Sequence, residues 1–167
     1  MKRAMFYLLT LLISCFVMTN SCSQINSTRN LSDTEIFVGS TPCDSLIKSL
    51  LQIPADAKCD FIKWDLNFRK SKKESDSFQL TALYGEAQPN TNGFIGGGKK
   101  IEVNGKYTVN YGVNAHPNAK VFNLNGEKFP SPFLLIELDS NILHFADGDK
   151  KFIVGNGGWG YVLNRIQ

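Results

Sequence analysis

The sequence predicts an all-β protein: a small antiparallel up-and-down (lipocalin-like) barrel or curved meander with one short inserted helix. Three features carry this. Apolar residues alternate with polar ones from Asp60 onward, and three Asn-Gly or Asp-Gly pairs lie between strand-like runs. About eight such runs follow one another at roughly 8–15 residue intervals, and closure into a barrel would remove their exposed edges.

The chain has 167 residues, 43% of them hydrophobic and 20% charged, which suits one globular domain and excludes a disordered, collagen-like or many-domain chain. Eighteen Lys and Arg against fifteen Asp and Glu give +3, and without Lys2 and Arg3 the remainder is +1. Nucleic acid is therefore not an expected partner.

The first element is for targeting. Met1-Lys2-Arg3 is cationic, and residues 4–18 form an uncharged apolar run. At about 15 residues it is shorter than the ~20 that span a bilayer as a helix, and it fits the apolar region of an export signal. The pattern resembles a bacterial lipoprotein signal, in which a small residue precedes a Cys that is acylated and becomes the new N-terminus. Cys22, after Thr19-Asn20-Ser21, ends a complete apolar region and opens a polar stretch suited to a tether. Cys15, after Leu12-Ile13-Ser14, is the alternative, with a more usual recognition sequence but an unusually short leader. Plain secretion without lipid is the third reading. The expected organisation is a signal over residues 1–21, a tether over 22–34 and a barrel over 35–167. The location it implies is the bacterial cell envelope, facing the periplasm, with a lipid such as palmitate anchored in the outer membrane.

Residues 35–39 read as a first short strand. Leu46, Ile47, Leu50 and Leu51 then lie on one face of a short helix capped by Asp44 or Ser45 and stopped at Pro54. Ile62, Trp64, Leu66 and Phe68 form the apolar face of the next strand, and Phe78, Leu80, Ala82 and Tyr84 repeat the pattern. Between them, residues 70–76 are charged and read as a solvated hairpin loop. Asn104-Gly105, Asn125-Gly126 and Asp147-Gly148 are expected as hairpin turns because these pairs tolerate positive φ. Residues 132–138 are almost continuously apolar, as in a strand covered on both faces or a central one; residues 142–145 and 160–165 supply the last strands.

Cys43 and Cys59 are the thiols left once the leader is removed and Cys22 is acylated. A disulfide across the insert is the leading reading, worth about 3 kcal/mol by loop closure in an oxidising compartment. Free buried thiols and a thiolate metal site are the alternatives. His116 and His144 are isolated from any Cys or carboxylate motif, so no metal site is assigned. No nucleophile elbow, zinc-binding HExxH or phosphate loop occurs, and neither enzymatic activity nor a cofactor is expected. Gly96-Gly97-Gly98 reads as a flexible loop at a barrel end. Trp159, within the glycine-rich residues 155–160, either plugs a barrel end or, with Tyr161, forms a platform for a sugar or lipid.

Residues 37–43, Phe-Val-Gly-Ser-Thr-Pro-Cys, followed by Leu-rich turns and an alternating strand, resemble the N-terminal barrel of the NlpE-like copper-homeostasis and envelope-stress lipoproteins. Residues 143–147 and 154–165 also resemble small lipoproteins of Bacteroidetes type. The resemblance implies a lipid-anchored barrel that acts as a binding or stress-sensing interaction module with an envelope protein partner. In that family a second Cys follows the Pro-Cys to give C-x-x-C. Here Asp44-Ser45-Leu46 follows Cys43, so the copper-binding dithiol is absent. The rival function is that of a carrier for a small apolar or lipid-like ligand inside the barrel, and a filled or hollow interior separates the two.

Overall fold

A computed structural model describes residues 34–72, 74–113 and 116–166. The leader, Cys15, Cys22 and nearly all of the tether lie outside these residues. Eight strands form one closed antiparallel barrel in chain order: β1 (Thr34–Pro42), β2 (Phe61–Arg69), β3 (Ser77–Gly85), β4 (Lys99–Val113), β5 (His116–Gly126), β6 (Phe133–Asp139), β7 (Ile142–Ala146) and β8 (Val162–Arg165). The ring closes through Phe37↔Arg165 and Val38↔Asn164. The up-and-down order places the β2–β3, β4–β5 and β6–β7 turns at one end, the mouth. The other four connections gather at the opposite end.

Period-two alternation turns Ile62, Trp64, Leu66 and Phe68 of β2 inward, opposite Tyr84, Ala82, Leu80 and Phe78 of β3. Rings fill the space between the strands. Phe68 packs 4.6 Å from Tyr107 and 4.9 Å from Phe122, centroid to centroid. Trp64 lies 5.2 Å from Phe145, which is 4.9 Å from Phe133. Trp64 is buried, and its indole N–H donates to Thr41 Oγ1 at 2.8 Å, which satisfies the one polar group that this ring carries inside. An eight-stranded barrel has an interior just wide enough for side chains to fill, and here aromatic rings fill it.

The insert between β1 and β2 contains α1 (Ser45–Leu50), a helix of six residues. Asp44 caps it by accepting from the Ile47 N–H at 3.0 Å, and Lys48 Nζ ties down the following loop through the carbonyls of Ala55 and Ala57. Ile47, Leu51 and Ile53 enter the barrel core. Leu46, expected on the buried face, stays largely exposed. Among the described residues no helix is long and apolar enough to cross a membrane.

Three details differ from the sequence expectation. The first strand is longer than residues 35–39. Asn104-Gly105 makes no turn: both residues lie inside β4, which runs unbroken for 15 residues. Gly105 is required there for closeness, because a Cβ would meet Phe78 Cε1 at 2.7 Å and the Asn125 carbonyl. Asn125-Gly126 ends β5, and the chain turns just beyond it, where Phe129 N–H bonds the Gly126 carbonyl. Asp147 does start a turn, accepting from the backbone N–H groups of Asp149 and Lys151. Strand β6 is covered on both faces as expected: Phe133 and Leu135 face the core, while Leu134 and Ile136 pack outside with Val113, Val121 and Ala146.

Candidate functional site

The two ends of the barrel are built differently. At the closed end, Cys43 and Cys59 are disulfide-bonded with Cα atoms 5.7 Å apart, which fastens the insert across its base. The free-thiol and thiolate-metal readings do not describe this pair. Tyr161 is buried there, and its hydroxyl donates to the Asp44 carboxylate, the same side chain that caps α1. Burial raises the Tyr161 pKa, and the bond to Asp44 and the Asp44 charge raise it further. Tyr161 is thus a structural link between insert and barrel and presents no ring face to a ligand. Trp159 stacks on Phe61 at 5.2 Å, and Phe61 stacks in turn on Phe94 at 4.4 Å. One face of the Trp159 ring is therefore occupied while the residue remains 39% exposed, so the expected Trp159–Tyr161 platform is divided.

The mouth opposite is open and holds a cavity of about 250 Å³. Phe37, Val109 and Phe122 make its floor. Glu35, Lys70, Tyr111, Lys120, Glu137 and Arg165 surround it. The charges are ordered. Glu35 forms ion pairs with Arg165 at 3.3 Å and with Lys70 at 3.6 Å, and Lys120 donates to both oxygens of Glu137 at 3.0 and 2.9 Å. The bond to Glu137 raises the Lys120 pKa, so this ammonium keeps its proton. Three cations face two carboxylates, and the carboxylates are the more sheltered: Glu35 and Glu137 side chains are 22% and 18% exposed, against 48% for Lys70. Beneath the floor, the buried Tyr107 hydroxyl has no hydrogen-bond partner among the described residues. Burial, with the charges of Asp76 and Glu35, pushes its pKa up to about 12.

No motif in the sequence marks these rim residues, and Lys70 reads there as part of a solvated loop. Alternation marks them nonetheless. Each continues the inward face of its strand one step past an apolar residue: Glu35 beyond Phe37, Lys70 beyond Phe68, Tyr111 beyond Val109, Lys120 beyond Phe122, Glu137 beyond Leu135 and Arg165 beyond Leu163.

On the outer wall an apolar groove of about 510 Å³ runs between the β4–β5 turn and β6, lined by Val113, Ala119, Ile136, Leu138 and Phe152. His144 packs against Phe152, and its Nδ1 lies 2.8 Å from the Phe145 carbonyl, to which it donates; His116 lies at the start of β5. Among the described residues no three His, Cys, Asp or Glu side chains converge as a metal site would require. No family model, curated protein or solved structure matches the chain.

Proposed function

We propose that this chain is a lipid-anchored envelope protein, acylated at Cys22, whose barrel serves as a rigid interaction module. The filled interior carries the reading: with Trp64, Phe133 and Phe145 packed ring to ring and Phe68 packed on Tyr107 and Phe122, the barrel meets other molecules through its rim and outer wall. The exposed side chains of Leu138 and Phe152 on the groove offer an envelope protein partner an apolar contact. The disulfide suits an oxidising compartment such as the periplasm. Sensing of stress would pass through such a contact and needs no catalytic group.

Two experiments test the parts separately. Cys22→Ala should move the protein from the membrane fraction to the soluble fraction while Cys15→Ala leaves it anchored. Attachment lost only in Cys15→Ala would move the anchor, and attachment kept in both variants would remove the lipid. For the module, a photo-crosslinking side chain at Leu138 should give a discrete adduct in cells that the same side chain at Asp65, on the exposed face of β2, does not. Equal patterns at both positions would end the interaction reading for this wall.

A further inference from the structure

We infer that the barrel mouth binds a small organic anion with an apolar body, such as a short-chain or aromatic monocarboxylate, inserted body first with its charge at the rim. The inference is independent of the lipid anchor and of any protein partner on the outer wall.

The cavity is graded in the way such a ligand requires. Its floor is Phe37, Val109 and Phe122, an apolar surface closed below by the ring of Phe68. Its rim carries Lys70, Lys120 and Arg165. Glu35 and Glu137 stand among these cations, each already paired and less exposed than they are, which holds the cations in place. Asp76, in the β2–β3 loop just before β3, accepts from the Ser71 N–H at 3.0 Å through Oδ1; its charge reaches Tyr107 beneath the floor, but it does not line the cavity. The lining therefore has one positive charge in surplus. A cation would meet carboxylates that are already paired, whereas an anion finds three partly exposed cationic donors lining one cavity.

Size sets the rest. A volume of about 250 Å³ falls below the range of roughly 300–1,000 Å³ that holds drug-sized ligands. A long acyl chain has no path deeper, because the rings below the floor are in contact. Tyr111, 66% exposed, stands as a wall against which an aliphatic or aromatic body can pack.

The test is calorimetric titration of the purified full chain, at low ionic strength, with hexanoate and benzoate. Acetate, which has the charge without the body, and hexan-1-ol, which has the body without the charge, are the comparisons. Wild type should bind hexanoate or benzoate saturably with Kd of about 1 mM or tighter, as a fragment-sized ligand in a partly open site would. Acetate and hexan-1-ol should each bind at least about tenfold more weakly, a difference equivalent to one factor of ten in Kd. Arg165→Gln and Lys70→Gln should each weaken the carboxylates by about fivefold, the scale of one partly exposed charge pair, and Tyr111→Ala should weaken benzoate more than acetate. Arg165→Gln leaves Glu35 paired with Lys70, and Lys120→Gln, which releases Glu137 instead, serves as a second charge variant at the other carboxylate, with thermal melting to confirm that each variant is folded. Binding of hexan-1-ol as tight as hexanoate would overturn the anion assignment, and acetate as tight as hexanoate would overturn the apolar body. No saturable heat in folded wild type up to about 10 mM, ten times the expected Kd, would overturn the site.

Discussion

Reduction of Cys43–Cys59 should cost the protein about 3 kcal/mol. The two residues are 16 apart in sequence, and the chain-entropy relation gives about 10 cal/mol/K for a closed loop of that size, or about 3 kcal/mol at 25 °C. Native contacts change little on reduction, because Ile47, Leu51 and Ile53 stay buried in the barrel core, Asp44 still caps α1 and Tyr161 still bonds Asp44. The effect therefore falls mainly on the unfolded chain, which gains freedom. Urea unfolding of oxidised and reduced protein measures it directly, with Cys43→Ala/Cys59→Ala as the reagent-free counterpart. The midpoint should fall, the slope should rise slightly as the unfolded state expands, and the melting temperature should drop by about 10 °C for a domain of this size. A difference under about 1 kcal/mol would refute the reasoning, as would two free thiols in the native oxidised protein.

Three further outcomes are expected. Gly39→Ala should destabilise by about 1–3 kcal/mol in urea unfolding, since its Cβ would meet Leu163 Cδ2 at 2.9 Å and the Val162 carbonyl at the seam where β1 closes on β8; wild-type stability would show that the seam gives way easily. Alkaline unfolding should begin near pH 10. The Tyr107 pKa is raised from 10.0 to about 12 in the folded state, so its contribution, about 2–3 kcal/mol, is present below pH 10 and is lost as pH rises toward 12; Tyr161 acts in the same direction. Tyr107→Phe should flatten that decline when stability is measured across this pH range, and an unchanged profile would count against it. Trp159→Ala should cost about 1–2 kcal/mol by removing a partly exposed ring from the Phe61 stack, seen as a lowered melting temperature and an altered near-ultraviolet dichroism; no loss would mean that the stack contributes nothing.

The barrel was legible in the sequence because alternation is dictated locally: each of Ile62, Trp64, Leu66 and Phe68 faces inward wherever the strand is placed. The Cys pair and the capping role of Asp44 were legible for the same reason, being matters of spacing and chemistry within a short segment. Turns were less so. Asn104-Gly105 has the side chains of a hairpin turn, yet β4 continues through it because Gly105 lets Phe78 and the β5 backbone approach, a constraint set by strands distant in sequence. Tyr161 offered an aromatic ring and a hydroxyl, and only the folded insert reveals that Asp44, 117 residues away, takes the hydroxyl. The mouth lay hidden as scattered charges. Glu35 and Arg165 come from β1 and β8 and Lys70 from the residue after β2, and their inward parity becomes meaningful only when closure sets those strands side by side.

The filled interior is tested most directly by the fluorescence of Trp64, which Trp159→Phe leaves as the protein's single tryptophan. Trp64 is 2% exposed and packed among Phe133 and Phe145, well below the mouth floor. Its emission should be blue-shifted, and titration with dodecanoate, a long apolar probe, should leave both its wavelength and its intensity unchanged. A saturable quench or shift of Trp64 by dodecanoate would place a ligand between the strands and contradict the packed-barrel module in favour of a carrier.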